Sequence, residues 1–176
     1  MFYADGLEII SYLCNMAVMH IDEVKRLAQS AHQDEKVRED LFREALADDG
    51  RRSSQAAWVL THLPADDNVY IDAYREELLQ VALSTEDTSL RRISLALLER
   101  LEWADADVRL LDFSLDHMMR SDEPYGVRSL CMKLAYAQCR HYPELKEELR
   151  QALLLIEPSE IGAGVRHTRK KILEVL

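Results

Sequence analysis

His20 and Glu23, in the stretch "HIDE", stand three residues apart and share one face of any helix that contains them. An imidazole and a carboxylate so placed can hold part of a metal site, but two ligands leave a tetrahedral shell half empty. No HExxH, ExxH or CxxC accompanies them. Four further histidines (His62, His117, His141 and His167) are scattered and read as helix-end or surface residues. Cys14, Cys131 and Cys139 are an odd, sparse set, read as reduced thiols in a helical core, which fits a cytoplasmic protein. "GAGVR" is too short for a dinucleotide fingerprint and follows no strand pattern; its glycines mark a turn. No nucleophile elbow or phosphate-binding loop occurs. The expectation is therefore a chain with no metal, no cofactor and no catalytic residue set.

The residues that do stand out are arginines. "TSLRRISLALLERL", residues 88–101, sets Arg91 and Arg92 at the start of a helical pattern, beside the positive pole of the helix dipole. The placement is odd in a chain with 22 Lys and Arg against 32 Asp and Glu, a net charge of −10. That balance argues against a protein built to coat nucleic acid or an anionic membrane.

The elements that must position these residues are all helical. Only 5 glycines and 4 prolines punctuate 176 residues, 48% of which are hydrophobic, so long helices pass uninterrupted. No apolar run reaches the length of a membrane span, and Asp5 and Glu8 occupy the place where a signal peptide needs positive charge. Leu7, Ile10, Cys14, Ala17, Ile21, Val24, Ala28 and Ala31 form one helical seam, widened by Leu13, Met16 and Leu27. Residues 1–33 are thus an N-terminal cap of one helix, or of two divided near "HIDE" with Asp22 as N-cap. Beyond it, Asp34 caps a helix over 35–48 that Gly50 ends, and residues 51–63 form another that Pro64 stops. "ADDNVYIDAYREELLQVAL" reads as a single helix, and "STEDTS" as the loop before residue 88. Patterns with Val108, Leu111, Leu115 and Met118, then "VRSLCMKLAYAQC", then a helix opened by Pro143, then "VRHTRKKILEVL" complete the chain.

Pairs begin near Asp67, Asp105 and Pro143, about 38 residues apart, a solenoid period. Arg91, Arg128 and Arg166 repeat with the same period, each after Leu or Val, near the start of the second helix. Acidic residues precede them: Glu86 and Asp87, Asp122 and Glu123, and Glu160. This Val/Leu–Arg step with preceding acids resembles the HEAT-type (armadillo-like) α-solenoid repeat over roughly residues 35–176, although the usual inter-helix proline is missing from most pairs. The expected fold is all-α, a single repeat domain over 1–176 with about four helix pairs over 34–176 in a right-handed superhelical stack. The resemblance implies that second helices line a concave side, and that Arg91, Arg128 and Arg166 form a structural ladder by pairing with acidic groups.

Charge is sorted along these pairs, every first helix net acidic and every second helix net basic. With the ladder set aside, Arg52, Arg92, Lys133, Arg169, Lys170 and Lys171 remain as candidates to line a basic concave groove. The expected function is a non-enzymatic, cytoplasmic protein-interaction module that takes an acidic segment of a partner protein, without a membrane role. One alternative is an enzyme or binder of the helical-repeat DNA repair glycosylase kind. It would draw on Trp58 and Trp103 (Trp58 also reads as core), with Asp105 or Asp107 as the acid. The other is a homo-oligomeric structural protein joined through its N-terminal cap.

Overall fold

A computed structural model describes residues 19–140 and 142–176, apart from the side chains at 143 and 160. The seam positions Leu7, Ile10, Leu13, Cys14, Met16 and Ala17, together with His141 and the Glu160 carboxylate, lie outside the described residues. The described residues are helical throughout, with no strand. They fall into two compact units, one ending at Leu101 and the other spanning Glu102–Leu176.

In the first unit, α1 (Ile21–Gln33) begins one residue ahead of the expected Asp22 cap. The Glu23 carboxylate accepts the His20 backbone N–H at 3.1 Å, so it works as one arm of a capping box. Asp22 sits in the first turn, where the dipole favours a negative charge. Val24, Leu27, Ala28 and Ala31 are buried, as the seam requires. Asp34 then caps α2 (Glu35–Ala45), its carboxylate accepting the N–H groups of Lys36 at 2.9 Å and Val37 at 3.3 Å. Gly50 opens α3 (Gly50–Leu60) rather than closing α2. The reversal takes two left-handed residues, Asp48 (φ 48°) and Gly50 (φ 53°), and glycine meets this at little steric cost.

The helix expected over "ADDNVYIDAYREELLQVAL" is broken. A 3₁₀ turn (Ala65–Asp67) leads into α4 (Asn68–Ala73), and α5 (Arg75–Ser84) follows after Tyr74 departs from helical geometry. The break coincides with the stacking of Tyr74 on buried Phe42, ring centroids 4.2 Å apart. Asp87 caps α6 (Thr88–Glu99) through the N–H groups of Ser89 and Leu90. Helix α2 pairs with α3 and α5 with α6; α3 and α6, the second helices of these pairs, lie against each other, and α1 packs on α2 and α3.

The second unit repeats the plan with α7 (Val108–Met119), α8 (Tyr125–Cys139), α9 (Pro143–Leu155) and α10 (Ala163–Leu173). Asp107 caps α7 through Arg109 and Leu110, and Pro143 stands in the first turn of α9. Helix α8 pairs with α7 and also packs on α9 and on α10, so the second helices again adjoin. Its core holds Leu110, Met118, Val127, Cys131, Met132, Leu134, Leu149, Leu153 and Val165. Trp103 is buried as well, whereas Trp58, expected as core, is only half-buried and meets His62 edge-on.

The turns explain the opening arginines. In an antiparallel helix pair the start of one helix lies beside the end of the other, where unsatisfied carbonyls carry the negative pole of that dipole. Arg91 Nη2 donates to the Thr85 carbonyl at 2.5 Å, and Arg128 Nε to Met118 at 3.1 Å. Arg38 Nη1, on α2, donates to Ala31 at the end of α1 at 2.8 Å. In the α2–α3 pair the hydroxyl of Ser53 takes this role, donating to Glu44 O at 2.7 Å. In the last pair Arg169 Nε reaches Leu153 O at 2.7 Å, while Arg166 Nη1 bonds to Pro158 O at 3.2 Å in the connection. These junctions thus join the first turn of one helix, or in the last pair its middle, to the carbonyl end of the helix before it.

Candidate functional site

Among the cations left after these junctions, the structure draws two into one place. A groove of about 530 Å³ runs between α8 and α10, lined by Ser129, Leu130, Lys133, Gly164, His167, Thr168, Lys171 and Ile172. On α10 the lining positions 164, 167, 168, 171 and 172 follow helical spacing, so one face of the helix supplies them all. Ser129 and Thr168 hydrogen-bond across the groove at 2.9 Å between hydroxyl oxygens, tying the two helices together. Leu130 and Ile172 give it an apolar floor, and the exposed Lys133 and Lys171 stand at its rim. Glu174 engages the rim lysine Lys171 at 3.3 Å and its neighbour Lys170, which does not line the groove, at 3.9 Å.

The other expected groove residues are placed differently. Arg52 is half-buried and ion-paired, its Nε with Glu44 and its Nη2 with Asp49 at 2.6 Å, so it braces the α2–α3 turn. Arg169 is drawn into the junction described above. Arg92 is exposed on α6, in the first unit, whereas the groove lies wholly in the second. The ladder arginines Arg91, Arg128 and Arg166 each donate to a backbone carbonyl.

Sequence reasoning missed several working residues. Arg38 carries the same Val–Arg step as Arg128 and Arg166, a signal present at Val37 and overlooked because the repeat was counted from the later pairs. Arg100 donates to four carbonyls at and just past the end of α3: Leu60 (3.3 Å), Thr61 (3.2 Å), Leu63 (2.9 Å) and Pro64 (3.0 Å). It also bonds through Nε to Asn68 Oδ1 at 2.9 Å. Burial pulls its pKa below the ordinary arginine value, and the Asp67 carboxylate partly opposes that. Ser129 and Thr168 carried no motif that would mark them.

Asp107, one of the two acids the enzyme alternative would draw on, is otherwise occupied. Asp107 caps α7 and is gripped by Arg109 Nη2 at 2.7 Å; that hydrogen bond chiefly holds its carboxyl below the usual carboxylate range. No group of three or more His, Cys, Asp or Glu is arranged to hold a metal among the described residues, and Glu23 of the "HIDE" pair serves the cap. A smaller cleft of about 180 Å³ on the first unit is lined by Phe42, Tyr70, Tyr74, Glu35 and Glu39, with Arg38 already seated 3.6 Å over the Tyr70 ring.

Successive antiparallel helix pairs with second helix laid on second helix, each joined to the carbonyl end of its first helix by an arginine or serine side chain, define an α-solenoid repeat protein. The chain belongs to the HEAT repeat family: the family described as HEAT repeat domain matches residues 16–176. No curated protein and no solved structure matches the chain. HEAT repeats generally act as scaffolds for protein interactions. No described helix is long and apolar enough to cross a membrane.

Proposed function

We propose that this HEAT repeat domain binds an acidic segment of a partner protein in the groove between α8 and α10. The observation that carries the reading is that Lys133 and Lys171, from different helices, line the same apolar-floored groove. An extended acidic segment sets its carboxylates against the two ammonium groups and an apolar side chain on Leu130 and Ile172. A groove of one sign focuses its field locally, so a net charge of −10 does not prevent attraction at this site. Gly164 to Ile172 spans about 12 Å of helix, room for a short stretch of extended chain.

The test is binding of a fluorescein-labelled peptide of alternating Glu and Leu, followed by anisotropy. Affinity should fall steeply with added salt, because the interaction is largely screened Coulomb attraction. The double variant Lys133→Glu/Lys171→Glu should abolish binding with an unchanged circular dichroism spectrum. Unchanged binding by that variant would overturn the groove as the site. Arg92→Glu, on the first unit and not among the residues lining the groove, serves as the control and should leave the affinity within about twofold, since an exposed charge that does not contact the ligand contributes little.

A further inference from the structure

Resting on that reading, we infer that the group recognised in the α8–α10 groove is a phosphate monoester, carried by a phosphorylated side chain of the partner segment. The two rim lysines bring two positive charges, and each ammonium brings three donors with no acceptor. A glutamate offers one negative charge and two oxygens, and leaves this set under-used. A phosphoserine carries about −1.5 to −2 charges at neutral pH and three acceptor oxygens. The Ser129–Thr168 pair adds to the match: one hydroxyl donates to the other at 2.9 Å, which leaves the second hydroxyl its own hydrogen for a ligand. These hydroxyls lie about one helical turn before the lysines, on the same two walls of the groove, and both are half-buried. His167 lines the wall one helical turn from Lys171 and supplies a ring N–H. At the head of α10, a Cβ built on Gly164 would meet nothing within 4 Å, so the groove is open there to the chain flanking the phosphorylated residue.

Glu174 is the counterweight. Its carboxylate holds Lys171 at 3.3 Å, and an arriving anion competes with it for the ammonium. A dianion competes for the ammonium better than a single carboxylate does, which sharpens the preference for phosphate over glutamate.

Three fluorescein-labelled nonapeptides, identical except for a central phosphoserine, glutamate or serine between leucines, test the inference on the full chain at physiological salt. The phosphoserine peptide should bind at least tenfold more tightly than the glutamate peptide, with amide shifts in the ¹H–¹⁵N spectrum at Ser129, Lys133, Gly164, His167, Thr168 and Lys171. Lys133→Met and Lys171→Met should each shrink that ratio to about threefold or less, and Glu174→Gln should tighten binding of the phosphopeptide. Equal affinity for the phosphoserine and glutamate peptides overturns phosphate selection and leaves the acidic-segment reading standing. If neither peptide binds, both readings fall. If a single-stranded DNA dodecamer displaces the phosphopeptide at equal concentration, the ligand is a nucleic-acid backbone and the inference is overturned.

Discussion

Arg128 Nε donates to the carbonyl of Met118 at 3.1 Å, from the first turn of α8 to the last turn of α7, and the arginine is only 5% exposed. Its counterpart Arg166 makes a similar bond to Pro158 but is exposed. Removing a charged donor at the buried site strands an acceptor away from water. Arg128→Met should therefore lower stability by about 1.5–3 kcal/mol. Arg166→Met should change it by no more than about 0.5 kcal/mol, because water replaces the lost donor. Urea unfolding of the two variants measures the difference, and equal costs would count against burial as its source.

Arg100 gathers carbonyls of residues 60, 61, 63 and 64 on one planar fork, with Asn68 on its remaining edge. An ammonium cannot reproduce that geometry. Arg100→Lys should therefore cost about 2 kcal/mol or more and recover little relative to Arg100→Met. Hydrogen exchange should quicken at the end of α3 in both variants.

Asp107 gives a pH dependence whose sign follows from its environment. Its folded pKa lies below the unfolded value, first because of the hydrogen bond from Arg109 and then the backbone N–H groups of Leu110 and Arg109. The stabilisation is therefore whole above the ordinary carboxylate pKa and is lost as pH falls through the folded value. Asp107→Asn keeps an N-cap and removes the titration. Between pH 6 and pH 3 the variant should lose less stability than the parent, while at pH 7 it should be less stable by up to about 1 kcal/mol.

Burial, followed by the nearby Glu148 carboxylate, pushes the Cys139 thiol up to about 11. Cys131 is buried in the same helix. In a Cys14→Ser background, both thiols should resist a disulfide reagent at pH 8 and react at once in denaturant. Because the folded state disfavours the thiolate, stability should fall as pH rises beyond the ordinary thiol pKa. Rapid labelling of either thiol in the native protein would contradict their burial.

Two glycines near the groove should respond in opposite directions. A Cβ at Gly162 would lie 2.9 Å from the Tyr125 ring, so Gly162→Ala forces that ring to move and should lower the Tm. At Gly164, inside α10, a Cβ meets nothing within 4 Å, and Gly164→Ala should raise stability by about 0.5 kcal/mol through helix propensity. Calorimetry of the two variants separates contact from propensity.

The sequence alone determined the helical class, the pairing of most helices and the repeat. Apolar spacing of three and four placed Val24, Leu27, Ala28 and Ala31 on a buried face, and Asp34 declared the start of α2, because both signals act within one or two turns of chain. The Val/Leu–Arg step marked Arg91 and Arg128 as junction residues for the same reason of local register. Only the tertiary structure decided what each arginine touches. Backbone carbonyls are alike at every residue, so no side-chain pattern could single out Met118 for Arg128 or give Leu153 to Arg169 instead of Arg166. The break at Tyr74 likewise coincides with a ring on α2, distant in sequence. The groove depended on packing most of all: Ser129 and Thr168 meet across two helices, and whether Lys133 and Lys171 share a groove or disperse follows from how α10 lies on α8.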